Sequence, residues 1–271
     1  MLPAAFRDPF QSTPHAAPVV AVIPARYAST RCPGKPLAEI AGRPMIEHVY
    51  RRAAEARGIG GVVVATDDDR IARAVERFGG VVRMTQPTHR TGTDRIAEVA
   101  RDLRCDIVVN VQGDLPLLEP GLLEAVVAPL TADQSLPMAT LRAAIDDPAE
   151  LTNPNVVKVV VDARGDALYF SRSPIPYVRP EDRTRFPARA IGPGSPFWKH
   201  IGLYAYRRDF LLAFGSLPQT PLERAESLEQ LRALEHGYRV STVETRHRSI
   251  EVDTPEDLER VRALLGASAR A

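Results

Sequence analysis

Short apolar runs alternate in the first half of the chain with longer segments whose apolar residues recur at helical spacing. The predicted strands are 19–24, 62–66, 81–84 and a run that begins at Ile107. The predicted helices are 45–56, 68–78, 93–103 and 120–127. Alternation of this kind is typical of βαβ units that build a parallel sheet. The pattern therefore predicts an α/β core over residues 18–150.

The pattern changes after Asn153. Residues 156–172 predict a hairpin that turns at 162–166, and a proline-rich loop follows from 173 to 198. We interpret 151–210 as an inserted β-rich lobe, which ends in a strand over 200–207. Helices and a strand over 211–265 are predicted to complete the core. Residues 1–17 are predicted to be a disordered tail, and residues 266–271 a second tail.

The composition excludes several classes of partner and location. With 271 residues and 44% hydrophobic positions, the chain is long enough to bury a large core. Lys and Arg (35) nearly balance Asp and Glu (34), so the net charge favours neither nucleic acid nor membrane as a partner. Cys32 and Cys105 match no metal or redox spacing, and no apolar run is long enough to span a bilayer. We therefore expect a cytoplasmic protein with reduced thiols.

Two segments carry candidate chemistry at predicted strand ends. The run IVVNVQGDLP delivers Asp114 to the carboxyl end of a strand, where α/β sheets bind ligands. The run VVAVIPARYASTRCPGKP ends in a loop that carries Arg26, Arg31 and Lys35. Three cations near a carboxylate suggest a metal-bound polyphosphate, although a solvated basic loop has the same pattern. The loop contains neither GxxxxGK[ST] nor GxGxxG, so neither a P-loop nor a dinucleotide fold is supported.

A set of motifs in a fixed order extends from about Val19 to Leu265. They are PARYASTRCPGKPL, ATDD, HRTGTDR, VNVQGDLP, NPNVVKVV, LYFSR, HIGLY, PLERAESLEQLR and VDTPEDL. Together they resemble the 3-deoxy-manno-octulosonate cytidylyltransferase (CMP-Kdo synthetase) family. The resemblance implies a GT-A-like nucleotidyltransferase fold, with a mostly parallel sheet flanked by helices and an inserted β-rich lobe for sugar binding and dimerisation. It also implies that CTP and the eight-carbon acid sugar Kdo give CMP-Kdo and pyrophosphate, for lipopolysaccharide biosynthesis.

The resemblance also assigns roles to residues. The implied catalytic residues are Arg26, Arg31, Lys35, Asp114 and Asp253. The implied CTP-binding residues are Ala25, Arg26, Arg31, Lys35, Thr91, Gly92, Thr93 and Gln112. The implied sugar-binding residues are Arg172, His200, Tyr204, Glu229 and Gln230. Asp114 and Asp253 would bind Mg²⁺, which prefers hard oxygen ligands, and the family suggests a homodimer.

Several of these residues have simpler explanations. Asp253 or Thr254 precedes Pro255 at a predicted helix start, so Asp253 could be an N-cap. His200 could be a strand histidine satisfied by the fold, and Glu229 could lie on a solvated helix face. Glu223 and Glu226 are predicted to be helix-surface charges and are left out of the site.

Two positions depart from the family pattern. Leu115 stands where the family usually has Glu, and Thr91 where it usually has Ser. Strand alternation predicts that Leu115 points away from Asp114, toward apolar packing. Two rival functions stay open, namely a cytidylyltransferase for a related ulosonic acid such as amino-Kdo and a non-catalytic sugar-nucleotide binding protein.

Overall fold

The computed structural model describes residues 9–10, 19–28, 32–179, 196–247 and 251–268, with side chains to 265. Its contacts form two compact units. Unit 1 comprises Met1–Glu124, Tyr206–Gly215 and Arg248–Ala271, and unit 2 comprises Ala125–Ala205 and Ser216–His247. The domain boundaries expected from sequence divide the chain differently and stay a prediction. Among the described residues, no helix is long and apolar enough to cross a membrane.

Unit 1 is built around parallel strands. The strands are β1 (Val19–Ala25), β2 (Glu39–Ile40), β3 (Arg43–Pro44), β4 (Gly61–Thr66), β5 (Val81–Met84) and β6 (Ile107–Asn110). The order β6-β1-β4-β5 is parallel throughout, while β2 and β3 form a separate antiparallel pair. All residues of β4 and β6 are buried, which explains their continuous apolar sequences.

Helices pack against these strands at the positions the pattern predicts. They are α1 (Met45–Glu55), α2 (Asp69–Arg77) and α3 (Gly92–Ala100), and the unit also contains α6 (Arg208–Phe214) and α9 (Pro255–Ser268). Asp68 caps α2 by accepting from the Arg70 amide, and Gly79 follows the helix in the left-handed region at φ 78°. Helix α4 (Pro120–Ala132) contains the boundary at Glu124.

Unit 2 contains the predicted β-rich insertion and more. Its elements are β7 (Met138–Ala144), α5 (Pro148–Thr152), β8 (Lys158–Val161), β9 (Ala167–Ser171), most of β10 (Trp198–Arg207), α7 (Pro221–Glu226), α8 (Gln230–Glu235) and β11 (Val240–Glu244). The β8–β9 hairpin turns where predicted, β8 pairs antiparallel with β10, and β7 pairs parallel with β11. Strand β7 has no counterpart among the predicted elements. The expected α/β class with a mostly parallel sheet is confirmed.

Candidate active site

A cleft in unit 1 opens where the loops after β1 and β6 leave the sheet. Because β1 pairs in parallel with β6 and β4, their following loops share the carboxyl edge of the sheet. The cleft is lined by Pro24, Ala25, Arg26, Ala28, Lys35, Pro36, Gly92, Gln112, Gly113 and Asp114. Five predicted CTP-binding residues are therefore brought together, namely Ala25, Arg26, Lys35, Gly92 and Gln112.

Lys35 joins the two predicted metal ligands. Its Nζ donates to Asp114 Oδ2 at 2.7 Å, to Asp253 Oδ1 at 3.4 Å and to the Val252 carbonyl at 3.0 Å. Burial opposes the charge on Lys35, but the ion pairs with Asp114 and Asp253 outweigh it and raise the pKa of the ammonium. The Lys35 side chain is only 16% exposed, so the alternative of a solvated basic loop is wrong for this lysine.

A buried neighbour brings Asp253 to this point from far along the chain. Val252 is fully buried in an apolar cluster with Ile40, Met45, Leu258 and Val261. Its backbone N–H also donates to the carbonyl of Asp114 at 2.9 Å. Apolar packing and one backbone hydrogen bond therefore bring the carboxylates of Asp114 and Asp253 within hydrogen-bonding distance of Lys35.

The N-cap interpretation of Asp253 is wrong. The capping groups of α9 are Thr254 and Asp257: Thr254 Oγ1 accepts from the Asp257 amide at 3.2 Å, and Asp257 Oδ2 accepts from the Thr254 amide at 2.9 Å. Asp257 Oδ2 also accepts from the Asp253 amide at 3.1 Å. The Asp253 carboxylate is directed at Lys35 instead.

The donor set is compatible with Mg²⁺ bound together with a polyphosphate. Both carboxylates lie within 3.4 Å of one ammonium nitrogen, so they converge on a single cationic group. Within the described ranges, no three His, Cys, Asp or Glu side chains cluster to hold a metal ion. Magnesium is commonly bound by one or two carboxylates, with waters and substrate phosphates completing its shell. Asp114 and Asp253 fit that arrangement.

Arg26 holds the loop before α3 in place. Its guanidinium donates to the carbonyls of His89 at 2.7 Å and Thr91 at 3.1 Å. Thr91 caps α3 in a reciprocal pair with Asp94, which explains why a hydroxyl residue suffices at this position. Thr93 is buried beside Gly92. The predicted site residue Arg31 lies outside the described residues.

Glu98 is a residue that sequence reasoning missed. It contacts the His89 imidazole and accepts from the Gln86 amide at 3.0 Å. Burial raises the pKa of this carboxyl, but these hydrogen bonds outweigh it, so the pKa lies below its usual value. The position follows no motif, because only the folded loop brings Gln86 and His89 to α3.

Leu115 is buried as expected, but strand alternation is not the cause. Strand β6 ends at Asn110, and Asp114 and Leu115 lie in the turn that follows, so strand alternation does not apply to them. Leu115 is 2% exposed, whereas the Asp114 side chain is 22% exposed. The turn separates a buried apolar side chain from an accessible carboxylate.

The predicted sugar-binding residues lie in unit 2, and Arg172 is extensively engaged there. Its Nε donates to the Glu226 carbonyl at 2.7 Å, and its terminal nitrogens donate to the carbonyls of Pro154 at 2.9 Å and Ser227 at 3.4 Å. The Glu226 carboxylate accepts from the Arg172 amide at 2.8 Å and from the Ser171 hydroxyl at 2.6 Å. The description of Glu226 as a surface charge is therefore wrong.

His200 and Tyr204 lie on β10 beside Phe170. The His200 ring packs edge-on against Phe170 at 5.1 Å and lies 5.3 Å from Tyr204, measured between ring centroids. Its Nε2 lies 2.9 Å from Thr140 Oγ1. Burial lowers the pKa of His200 to about 3, so the imidazole is neutral at physiological pH. These contacts are those of a histidine satisfied by the fold, and its role in sugar binding stays a prediction.

Gln230 begins α8, and Glu229 is the residue at its N-cap position. Gln230 is buried, and Glu229 is partly buried with Oε1 3.7 Å from the Arg232 guanidinium. Arg232 also donates to both oxygens of Glu223, at 2.9 and 2.5 Å. Glu223 is 5% exposed, so its assignment to the helix surface is wrong.

Similarity to known proteins extends over most of the chain. Residues 20–246 match the family model described as Cytidylyltransferase. The chain is 56% identical over 243 residues to the 3-deoxy-manno-octulosonate cytidylyltransferase of Geobacter metallireducens, covering 90% of this chain and 96% of that protein. It is 52% identical over 250 residues to the enzyme of the same name from Solibacter usitatus, covering 92% and 95% respectively.

Solved structures agree with this similarity. The structure of CMP:2-keto-3-deoxy-manno-octonic acid synthetase complexed with CTP matches with a TM-score of 0.84 and 47% identity, covering 92% of this chain and 99% of that one. The 4-diphosphocytidyl-2C-methyl-D-erythritol synthase of Anaerococcus prevotii has a TM-score of 0.56 at 16% identity, covering 92% and 98%, and shares the fold alone.

Proposed function

The chain belongs to the 3-deoxy-manno-octulosonate cytidylyltransferase family, and we propose that it transfers CMP from CTP to Kdo, releasing pyrophosphate. The proposal rests on one observation above all. Asp114, Asp253 and Lys35 converge beside a cleft lined by Gln112 and Gly92, at the edge of the sheet where this fold class binds ligands.

The transfer is a single displacement at phosphorus. The anomeric hydroxyl oxygen of Kdo bonds to the α-phosphorus of CTP, and the bond from that phosphorus to the bridging oxygen breaks. Pyrophosphate leaves with the electron pair, and the hydroxyl proton passes to solvent. Lys35 and Arg26 carry positive charge where the departing polyphosphate gains negative charge. Gln112 and the backbone of Thr91 to Thr93 would contact cytosine and ribose.

We also propose that Asp114 and Asp253 hold Mg²⁺ together with the phosphates of CTP. Bound there, the ion would lower the pKa of the sugar hydroxyl and stabilise charge in the transition state. The partial exposure of both carboxylates and their convergence on Lys35 support this assignment. Lys35 would supply a second cation beside the same phosphates.

For the sugar we propose Arg172, His200, Tyr204, Glu229 and Gln230, all in unit 2. Neutral His200 and the Tyr204 hydroxyl suit the hydroxyl groups of a polyol. The carboxylate of an acidic sugar would accept from the guanidinium N–H groups of Arg172 that do not donate to backbone carbonyls. None of these side chains distinguishes Kdo from amino-Kdo, which is the alternative substrate.

The location, oligomeric state and pathway of the protein are also proposed. We propose that the protein is cytoplasmic, since CTP is a cytoplasmic nucleotide, and that it supplies CMP-Kdo for lipopolysaccharide. We also propose that it is a homodimer. Sedimentation velocity at micromolar concentration tests the dimer, and a single species of 29.7 kDa would reject it.

A pyrophosphate-release assay with CTP, Kdo and Mg²⁺ tests the function. We expect pyrophosphate in equal amount to CMP-Kdo identified by mass spectrometry, with loss of both on addition of EDTA. Faster turnover of amino-Kdo would favour the alternative substrate. CTP binding without pyrophosphate release would indicate the non-catalytic protein, and comparable rates with ATP would exclude a pyrimidine-specific pocket.

A further inference from the structure

An aromatic ring links two neighbouring loops of unit 1. Strands β1 and β4 pair so that Ala25 lies opposite Thr66, and their loops leave the sheet side by side. Tyr27 lies two residues after β1, and Arg70 is the second residue of α2, four residues after the end of β4. The guanidinium carbon of Arg70 lies 3.3 Å from the centroid of the Tyr27 ring, which is the geometry of a cation–π contact.

Asp68 fixes the arginine over the ring. Its Oδ1 accepts from the Arg70 amide at 2.9 Å and from Arg70 Nε at 3.0 Å, and its Oδ2 accepts from the terminal nitrogen at 2.7 Å. The Asp68 amide in turn donates to Thr66 Oγ1 at 3.2 Å. Although the Arg70 side chain is 56% exposed, its planar group is therefore held at two points.

The same ring contacts the residue that precedes Lys35. Gly34 has φ +72°, and a Cβ at this position would lie 3.0 Å from Tyr27 Cζ. The Gly34 amide donates to the Tyr27 carbonyl at 2.8 Å, so a backbone hydrogen bond links these two residues. The ring thus occupies the space beside Gly34, next to the lysine that donates to Asp114 and Asp253. A side chain at Gly34 would both strain the backbone and press on the ring.

We propose that Tyr27, Arg70 and Asp68 are positioning residues that hold Arg26 on one side, and Gly34 with Lys35 on the other, in the arrangement that binds the phosphates of CTP. Their effect is on the triphosphate of CTP, because Lys35 follows Gly34 directly and Arg26 precedes Tyr27 directly. None of the three needs to touch substrate. This inference rests on the proposed function.

Steady-state kinetics of single variants test the inference. Arg70→Ala and Tyr27→Leu are expected to raise the KM for CTP about fivefold, the upper end of the effect of losing one exposed cation–π contact. The KM for Kdo and kcat are expected to stay within about twofold. Tyr27→Phe keeps the ring and is expected to restore the KM for CTP. Arg73→Ala, at an exposed arginine of the same helix, is the matched control.

A double variant separates positioning from general damage. Without the Tyr27 ring, Arg70 has lost its cation–π contact. Adding Arg70→Ala to Tyr27→Leu is therefore expected to raise the KM for CTP no further. Equal KM values for Arg70→Ala and Arg73→Ala would overturn the inference, and so would fully additive effects. Arg70 is largely exposed, so this comparison stays decisive even if Tyr27→Leu fails to fold.

CTP binding keeps the two proposals distinguishable. Isothermal titration of CTP against the same variants is expected to show the same weakening, about fivefold, for Arg70→Ala and Tyr27→Leu. If the wild-type chain makes no CMP-Kdo, the proposed function fails, while this titration still decides the positioning. If the wild type is active and both variants bind CTP normally, the positioning inference alone fails.

Discussion

The Lys35 cluster of unit 1 and the Arg172 network of unit 2 use similar charged groups in different ways. In unit 1, the ammonium of Lys35 meets two carboxylates that are themselves partly exposed. In unit 2, Arg172 donates to three backbone carbonyls, and the fully buried Lys158 donates to two more. A partly exposed carboxylate can exchange its ion-pair partner for a ligand, whereas a backbone carbonyl away from solvent needs its donor. The charges of the first cluster are therefore available to a ligand, whereas most donors of the second stabilise the fold.

Local structure explains this contrast. The unit 1 groups lie on loops beyond the ends of parallel strands, where backbone amides and carbonyls still face solvent. The Arg172 contacts join the end of β9 to the turn at Pro154 and to the end of α7, where the last carbonyls of a helix have no partner within the helix. Burial of Lys158 also lowers the pKa of its ammonium, and the nearby Glu226 carboxylate opposes this only in part.

The largest expected effect is loss of turnover on changing either aspartate of the Lys35 cluster. Asp114→Asn or Asp253→Asn removes a charged oxygen from the proposed metal site, and we expect turnover to fall by at least about 10³-fold. The melting temperature is expected to change little, because both carboxylates are partly exposed. Pyrophosphate release measures the rate, with exposed Asp102→Asn as control. Turnover within tenfold of wild type for either variant would reject the two-carboxylate assignment.

The opposite behaviour is expected for the buried ion pair of unit 2. Glu223→Gln leaves the Arg232 charge without its main partner, and we expect the free energy of unfolding to fall by about 3 kcal/mol. Turnover of the folded enzyme at low temperature is expected to stay within a few fold. Urea unfolding measures the loss.

A surface arginine provides the control for that pair. Arg164→Met breaks an ion pair with Asp162 at an arginine that is 72% exposed, and it should cost less than about 1 kcal/mol. Equal losses for Glu223→Gln and Arg164→Met would contradict the view that unit 2 depends on its buried polar groups.

Leu115→Glu tests whether the residue beside Asp114 belongs to the reactive cluster. Leu115 is buried, so a carboxylate there is expected to cost about 1–3 kcal/mol of unfolding free energy without raising kcat. Leu115→Met keeps the packing and should behave like wild type. A tenfold gain in kcat or in Mg²⁺ affinity for Leu115→Glu would move this position into the metal site.

The smallest expected effect is a pH-dependent one at Glu226. Burial raises the pKa of this carboxyl, but hydrogen bonds from the Arg172 amide and the Ser171 hydroxyl outweigh it and hold the pKa below the usual 4.5. A lowered folded-state pKa contributes stability above the usual value, and that contribution is lost as the pH falls through the folded-state pKa. Glu226→Gln should therefore lose about 1 kcal/mol at pH 7 and almost nothing in strong acid. Urea unfolding across pH 3 to 7 measures it, and a loss independent of pH would indicate that Glu226 acts through its hydrogen-bond geometry and not through its charge.

Elements set by residues close in the sequence were predictable, whereas contacts that depend on the tertiary structure were not. The strands at Val19 and Ile107 and the hairpin at Asp162 were predictable because apolar runs and turn residues act locally. Strand β7 was not predicted, since its Met, Ala and Leu residues suit a helix as well as a strand. The buried Glu223–Arg232 pair was not predicted either, because acidic and basic residues on a helix are usually solvated.

By itself, the sequence determined which residue types stand at the ends of the parallel strands, and hence that Lys35 and Asp114 lie at one edge of the sheet. Only the tertiary structure decided that Asp253 joins them. That contact depends on Val252 packing against Ile40 and Met45, more than 200 residues away along the chain. The tertiary structure likewise decided that Arg70 covers Tyr27, because the pairing of β1 with β4 sets which loops are neighbours. Local patterns specify strands and helices, whereas the burial of distant apolar groups selects which loops meet.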